Sequence, residues 1–598
     1  MRYTAPRAVT ADGRWILYVV SHGQEKGTDV VEWRLIHPDG SGMKKVHLAD
    51  GFDPTGFDRE NHLWGRLSRS GKAEIAIYGL GAPSKPIREI PIPGSIRSLS
   101  LSPDGSRFAA LADPEPPDPL AGVHTVVQPE RSSLYVVDAD GSGGSWWRPE
   151  LRDVASAVWA PDSKRIALAS AVPKIGNYEM KSEIDVTDGN GLQSVVKLNN
   201  VIGDVAWSSR GTELLFLSTT NSVLTVDHLF SVPVTGGQPT DLTPEMVGTV
   251  FGIESDSKGG HWVLTGRSVW SEIDRRIDDE WAGQYELRDG LLGGLPVLCH
   301  LDGAVVQPVF GMADPQHCMQ LAIQKGRDFV RITHDGDREL ANVRLGEVQT
   351  IDWSSKEGVD LEGIVTFPPD FKKGTRYPLV VIPHGGPEAN DTLQLDNDAQ
   401  FLAGLGYVVI KPEYRGSTGF GADFLQAIYR HFGDRAYRDV DSAADYAIEQ
   451  GWADPNRLAM FGWSAGGFMT SWTITQTDRY KAAIEGAGIT DWGSFMWTSD
   501  IQQFDYDGRW PDRDPEAFER FSPVMFADRV KTPLLILHGE ADARVPTYLG
   551  REYFEELLAK GKTVRMVTYP GSGHFPSKWE QRADVYRELA AWLKKYDP

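Results

Sequence analysis

Leu458-Ala459-Met460-Phe461-Gly462-Trp463-Ser464-Ala465-Gly466-Gly467 is a short apolar run, a glycine-rich turn and the start of a helix-like stretch. Gly-x-Ser-x-Gly at a strand-to-helix junction is a nucleophile elbow, because glycines permit the strained turn that exposes the serine hydroxyl. The pentapeptide alone also occurs in ordinary loops. The strand before it and the helix after it make Ser464 the candidate nucleophile of a hydrolase.

A serine hydroxyl is a poor nucleophile at neutral pH and needs a base, an orienting carboxylate and donors for the oxyanion. Asp542 lies in His538-Gly539-Glu540-Ala541-Asp542-Ala543-Arg544-Val545-Pro546, just after the apolar run 534–537. His574 lies in Tyr569-Pro570-Gly571-Ser572-Gly573-His574, just after the run 564–567. The chain order Ser, Asp, His is that of α/β-hydrolases. Glu540 and Asp491 are rival acids, and His538 is the rival base. The oxyanion donors expected are the backbone N–H of Ala465 and that of Gly386 in His384-Gly385-Gly386-Pro387, which follows the run 379–382.

Further outward the chain has two rhythms. After about Gly346, six apolar runs alternate with helix-like stretches such as Asp439–Gln450 and Tyr548–Lys560, each followed by a glycine suited to a helix C-cap. That pattern implies a mostly parallel sheet covered on both faces. Before it, a turn followed by a β-rich stretch recurs at Asp12-Gly13, Asp104-Gly105, Asp162-Ser163 and Arg210-Gly211, with a looser copy at Ser70-Gly71 and degenerate ones near 256–264 and 314–322. The copies average about 50 residues apart, the length of a four-stranded propeller blade. The expected architecture is therefore an all-β propeller of about seven blades over 1–347, and an α/β-hydrolase domain over 348–598.

The chain has 598 residues and a formal net charge of −22, which argues against nucleic acid or anionic membranes as partners. No apolar run is long enough for a membrane-spanning helix. The N-terminus lacks a secretory h-region, so a cytoplasmic protein is expected. Cys299 and Cys318 are the only cysteines and read as inert thiols. Asp138-Ala139-Asp140-Gly141-Ser142-Gly143 opens like an EF-hand loop but has Pro149 where the bidentate glutamate belongs. No cofactor or metal site is expected.

The elbow, the His-Gly-Gly-Pro loop, Tyr414-Arg415-Gly416-Ser417-Thr418-Gly419-Phe420-Gly421 and the Asp542 loop together resemble the prolyl oligopeptidase family of serine peptidases. Within it, His384 makes the chain most similar to the acylaminoacyl-peptidase branch, since the dipeptidyl-peptidase branch usually has a tyrosine there. Ala465 replaces the tyrosine often found after the nucleophile. The resemblance implies that Arg544 binds a substrate carbonyl near P2, that Trp492 and Phe495 line S1, and that the propeller restricts access to short peptides. It implies a homo-oligomer as one possible assembly. The first blade begins almost at Met1, so either the N-terminal helix that members commonly carry is absent or the start is misplaced. The activity expected is hydrolysis of short peptides. Aminopeptidase, dipeptidyl-peptidase and small-molecule esterase or amidase activities are the alternatives. A free-amine substrate would call for carboxylates such as Glu115 or Asp278-Asp279-Glu280.

Overall fold

The computed structural model describes residues 2–23, 29–69, 72–81, 85–113, 132–173, 180–219, 226–255, 260–277, 280–301, 305–429, 431, 433–501 and 516–596. Among these, the N-terminal strands form a seven-bladed propeller. The blades span 2–46, 52–91, 95–159, 145–198, 202–241, 249–287 and 291–331. Blades 3 and 4 share one long strand, Ser145–Trp159: its start pairs with Ser132–Asp138 and its end with Ile166–Pro173.

The recurring turn is the inner hairpin of a blade. Gly13, Gly105, Ser163 and Gly211 all have positive φ, between 57° and 78°. At the first three, the aspartate before the turn accepts the N–H two residues on, at 2.8–3.0 Å. These are Asx turns that fix where the strand reverses. In blade 2 the equivalent turn is 58–62, with Asn61 at φ 63°; Ser70-Gly71 lie outside the described residues. In blade 7 the 314–322 copy falls on the second hairpin.

An arginine beside this turn reaches a turn carbonyl of the next blade: Arg59 to Pro103, Arg107 to Ser163 and Arg165 to Gly211. Separate apolar clusters fill the spaces between neighbouring blades. The ring closes with Ile16, Tyr18 and Val20 of blade 1 packed against Val309, Leu321 and Ile323 of blade 7, and with Arg34 of blade 1 paired to Asp335 just after blade 7.

The C-terminal sheet has eight strands: β1 (Val348–Ser354), β2 (Asp360–Thr366), β3 (Tyr377–Val381), β4 (Val408–Pro412), β5 (Ala453–Trp463), β6 (Ala482–Gly486), β7 (Leu534–Gly539) and β8 (Val564–Tyr569). Their spatial order is 1-2-4-3-5-6-7-8. β1, β2 and β4 are antiparallel neighbours, and the pairs from β4–β3 through β7–β8 are parallel. This is the α/β-hydrolase fold. The six apolar runs map onto β3 to β8, whereas β1 and β2 intersperse polar residues and form no apolar run.

The helices α1 (Asn397–Gly404), α2 (Ala436–Glu449), α3 (Ala465–Gln476), α4 (Thr547–Ala559) and α5 (Trp579–Tyr596) cover both faces. Val408, Val409 and Ile410 are wholly buried; each such side chain contributes about 1.5–3 kcal/mol. Buried residues run from Ala465 to Thr475, so α3 is enclosed on all sides. It is a rigid mount for the residue preceding it.

A blade 6 hairpin docks on the hydrolase domain. Ser268 donates its N–H to Gly419 O at 2.9 Å, Asn390 Nδ2 donates to Ser268 O at 2.7 Å, and Val269 packs with Ile364 and Leu393. From blade 1, Asp29 pairs with Arg582 of α5.

Candidate active site

Ser464 connects β5 to α3 with φ 61° and ψ −123°, a conformation that is costly for a side-chain-bearing residue. Two glycines make it possible. A Cβ on Gly462 would lie 2.2 Å from Gly466 O, and a Cβ on Gly466 would lie 2.2 Å from Pro383 O. The Ser464 N–H donates to Gly486 O on β6 at 2.8 Å, which pins the turn to the sheet.

Asp542 sits in the loop after β7 and is buried. Its Oδ1 accepts the N–H groups of Arg544 at 2.9 Å and Val545 at 3.0 Å. Its Oδ2 lies 2.8 Å from His574 Nδ1 and 3.5 Å from His538 Nε2. Burial alone would raise the carboxyl pKa, but the hydrogen bonds from His538 and His574 hold it well below the usual range. Asp542 is thus a fixed anion on the His574 ring, which is the arrangement that selects the Nδ1–H tautomer and leaves Nε2 as the base.

The rival acids are engaged elsewhere. Glu540 accepts from Thr568 on the surface, and Asp491 caps the helix Trp492–Thr498. The rival base His538 is wholly buried behind Asp542.

The His-Gly-Gly-Pro loop after β3 runs against Ser464. A Cβ on Gly385 would stand 3.4 Å from Ser464 Cβ. Gly386 has φ 125° and precedes a cis peptide to Pro387. Ala465 opens α3, where first-turn N–H groups lack an intrahelical acceptor. The loop is braced from behind. His384 Nε2 lies 2.8 Å from Ser417 Oγ and 3.3 Å from Glu413 Oε2, and its Nδ1 lies 2.8 Å from Gly385 O. Tyr414 stacks on the His384 ring at 4.4 Å and donates to His384 O at 2.8 Å. Burial opposes the charge on His384, but Glu413 and Asp391 outweigh it and push the imidazole pKa up. The Tyr-Arg-Gly-Ser motif therefore supports the loop that the oxyanion would face.

Ser464, His574, Gly385, Gly386 and Arg544 line one cleft of about 400 Å³. Arg544 is held at its mouth by Asp500, whose Oδ1 accepts from Nε at 2.5 Å. Trp492 and Phe495 stand elsewhere: both are about 2% exposed in the core, Trp492 edge-on to Phe468 and Phe495 edge-on to Trp492, and neither lines the cleft. Its apolar wall is made instead by Trp463, Ile501 and Phe575. Sequence reasoning missed Phe575, although an aromatic next to His574 on a glycine-rich loop has no neighbouring apolar run to bury it. Glu115, Asp278 and Asp279 lie outside the described residues, as does the side chain of Cys299; Cys318 is buried. Among the described residues no group of three or more His, Cys, Asp or Glu could hold a metal ion. No described helix is long and apolar enough to cross a membrane.

Residues 393–597 match the model of the prolyl oligopeptidase family. The hydrolase domain belongs to that family. Uncharacterized peptidase YuxL of Bacillus subtilis is 33% identical over 282 residues, 46% of this chain and 43% of that protein. The acylamino-acid-releasing enzyme of Sus scrofa is 33% identical over 246 residues, 40% of this chain and 34% of that enzyme. The chain thus matches less than half the length of either relative. Pyrococcus horikoshii acylaminoacyl peptidase superposes with a TM-score of 0.83 at 18% identity, covering 100% of this chain and 96% of that one. The shared fold therefore includes the propeller as well as the family domain.

Proposed function

We propose that the protein is a serine peptidase that hydrolyses short peptides through an acyl-enzyme, with release of N-acylated amino acids as its leading activity. The observation that carries this reading is the Asp542–His574 pair, 2.8 Å apart, with His574 lining the same cleft as the strained Ser464. Ser464 Oγ attacks the scissile carbonyl, and His574 Nε2 takes its proton and returns it to the leaving amine. Asp542 keeps Nδ1 protonated and stabilises the imidazolium. The Ala465 and Gly386 N–H groups receive the oxyanion, and each such donor is worth about 2.7–4 kcal/mol. Arg544 keeps donors beyond the Nε that Asp500 occupies, enough to take a peptide carbonyl at the mouth.

The restriction to short substrates rests on how the domains dock. Asn390, four residues past Gly386, holds the blade 6 hairpin, and Arg582, eight residues past His574, pairs with blade 1. Both anchors continue directly from loops of the cleft, which supports a propeller that covers the side where Ser464 opens and restricts access to it. The acyl preference is supported by the likeness to the porcine enzyme and by His384, which here braces its loop rather than presenting a hydroxyl. A cytoplasmic location belongs to the same reading, as does a homo-oligomer, to be read from the mass in solution.

The test is covalent and then chromogenic. A fluorophosphonate probe should label the wild type and not Ser464→Ala, whose kcat should fall by roughly 10⁶ if the triad acts as a unit. N-acetylated, free-amine, Gly-Pro and internally blocked substrates with one leaving group then rank the activities. An unlabelled wild type would reject the enzyme reading, and a faster free-amine substrate would reject the acyl preference.

A further inference from the structure

Two histidines meet the buried carboxylate of Asp542, and the mechanism above uses one of them. His538, on β7, is 0% exposed. Its Nε2 lies 2.7 Å from Val545 O. A carbonyl can only accept, so Nε2 carries the proton. The same Nε2 is 3.5 Å from Asp542 Oδ2, the oxygen that His574 Nδ1 meets at 2.8 Å. One N–H thus points between a carbonyl and the triad carboxylate.

Behind His538 stands a second buried acid. Glu485 on β6 is also 0% exposed. It pairs in register with Ile536 of β7, and side chains two apart on a strand share a face, so Glu485 and His538 lie side by side under α4. One Glu485 oxygen accepts the Gly488 N–H at 2.7 Å. Its other oxygen and His538 Nδ1 find no hydrogen-bond partner among the described residues. Leaving a buried polar group without a partner costs about 1–3 kcal/mol. A purely structural core would fill these positions with apolar side chains. Burial pushes the Glu485 carboxyl up to about 7, against the pull of His538. The other titratable groups facing the pair are Asp542 and His574 from the two loops and the Tyr553 hydroxyl from α4, which burial pushes up strongly. α4 approaches closely, since a Cβ on Gly550 would lie 2.7 Å from His538 Nδ1.

We propose that His538, backed by Glu485, is a positioning residue that shares the Asp542 carboxylate with His574 and so sets how basic His574 is. This inference rests on the reading of Ser464, Asp542 and His574 as the triad. The physical content is competition. Each donor to Oδ2 takes part of its negative charge, so a second donor weakens the hold of Asp542 on the His574 imidazolium and keeps the base neutral to lower pH. Glu485, pushed toward its protonated form by burial, can offer its O–H to the Nδ1 lone pair of His538 and so strengthen that second donation.

The experiment is the pH profile of kcat/KM, whose acid limb reports the base in the free enzyme. Fluorophosphonate titration of Ser464 is run first on every variant; an unlabelled wild type would sink the triad reading rather than this one. In His538→Leu the acid limb should move to higher pH by about 0.5–1 unit. Glu485→Gln should move it the same way by less. His538→Gln restores an N–H at the same reach and should leave the limb where it is in the wild type. A role confined to holding the loop would lower kcat/KM in parallel at every pH. An unmoved limb in His538→Leu and Glu485→Gln overturns the proposal, as does a shift in His538→Gln equal to that in His538→Leu. If His538→Leu does not fold, an unmoved limb in Glu485→Gln overturns it alone.

Discussion

Trp463 Nε1 donates to the backbone carbonyl of His574 at 2.9 Å, so the residue before Ser464 holds the loop that carries His574. Phe575 stacks over the same indole at 5.7 Å. Gly486 makes room for it, since a Cβ there would lie 2.0 Å from the ring. Spacing between Ser464 and His574 is thus set by a side chain inside the elbow motif itself.

Trp463→Phe keeps an aromatic ring under Phe575 but deletes the donor. The expected cost is about 1–3 kcal/mol from the unpaired carbonyl, with kcat falling about tenfold or more as the His574 loop loosens. Thermal unfolding and steady-state kinetics measured together check this. An unchanged kcat would mean that the loop holds its place without Trp463.

Asp542→Asn removes the anion while keeping the shape, and should lower kcat by about 10⁴ because an amide favours the wrong tautomer. The stability effect has a defined sign. The Asp542 carboxyl pKa is depressed in the fold, so its contribution is whole above the unfolded value of 3.8 and is lost as pH falls through the lower folded value. The gap in unfolding free energy between wild type and Asp542→Asn should therefore narrow below pH 3.8, as read by chemical denaturation at stepped pH.

The His384–Glu413 pair behind the His-Gly-Gly-Pro loop predicts the opposite slope. The pKa of His384 is raised, so its contribution is whole below the ordinary value of 6.5 and is lost as pH rises through the folded value. Breaking a buried pair by removing one charge costs about 3–5 kcal/mol. Glu413→Gln should lose stability on that scale at pH 6 and should lack the alkaline decline of the wild type. Parallel pH–stability curves for the two proteins would reject a charged His384.

The sequence displayed this site unevenly, for physical reasons. Backbone-determined features were legible: the elbow needs its glycines, and Asx turns write blade hairpins into Asp-Gly pairs. Ser464, Asp542 and His574 could be singled out because each follows an apolar run that ends at one edge of the sheet. The cleft walls were not legible. Trp492 and Phe495 carry the composition of a pocket, but their helix turns them inward, Trp492 onto Phe468 and Phe495 onto Trp492. Ile501 and Phe575 reach the cleft through loop conformations that no periodicity encodes. His538 was visible only as a rival to His574, because its relation to Asp542 depends on how the 539–546 loop folds back over β7.

The propeller's gating role can be tested at its docking hairpin. Val269 is 1% exposed between Ile364 and Leu393, and the flanking contacts are Ser268 to Gly419 and Asn390 to Ser268. Val269→Asp would bury an unpaired carboxylate, a cost of several kcal/mol that the hairpin escapes by leaving its seat. Neither change touches Ser464, Asp542 or His574, so turnover of a small chromogenic ester should survive. What should change is size selection. The wild type is expected to leave casein intact, and Val269→Asp is expected to degrade it, because an undocked blade 6 opens the mouth near Asn390. Equal casein cleavage by both proteins would show that the propeller does not gate the cleft. A variant that still spares casein while its hairpin becomes accessible to limited proteolysis would move the gate from this hairpin to the blade 1 contact between Asp29 and Arg582.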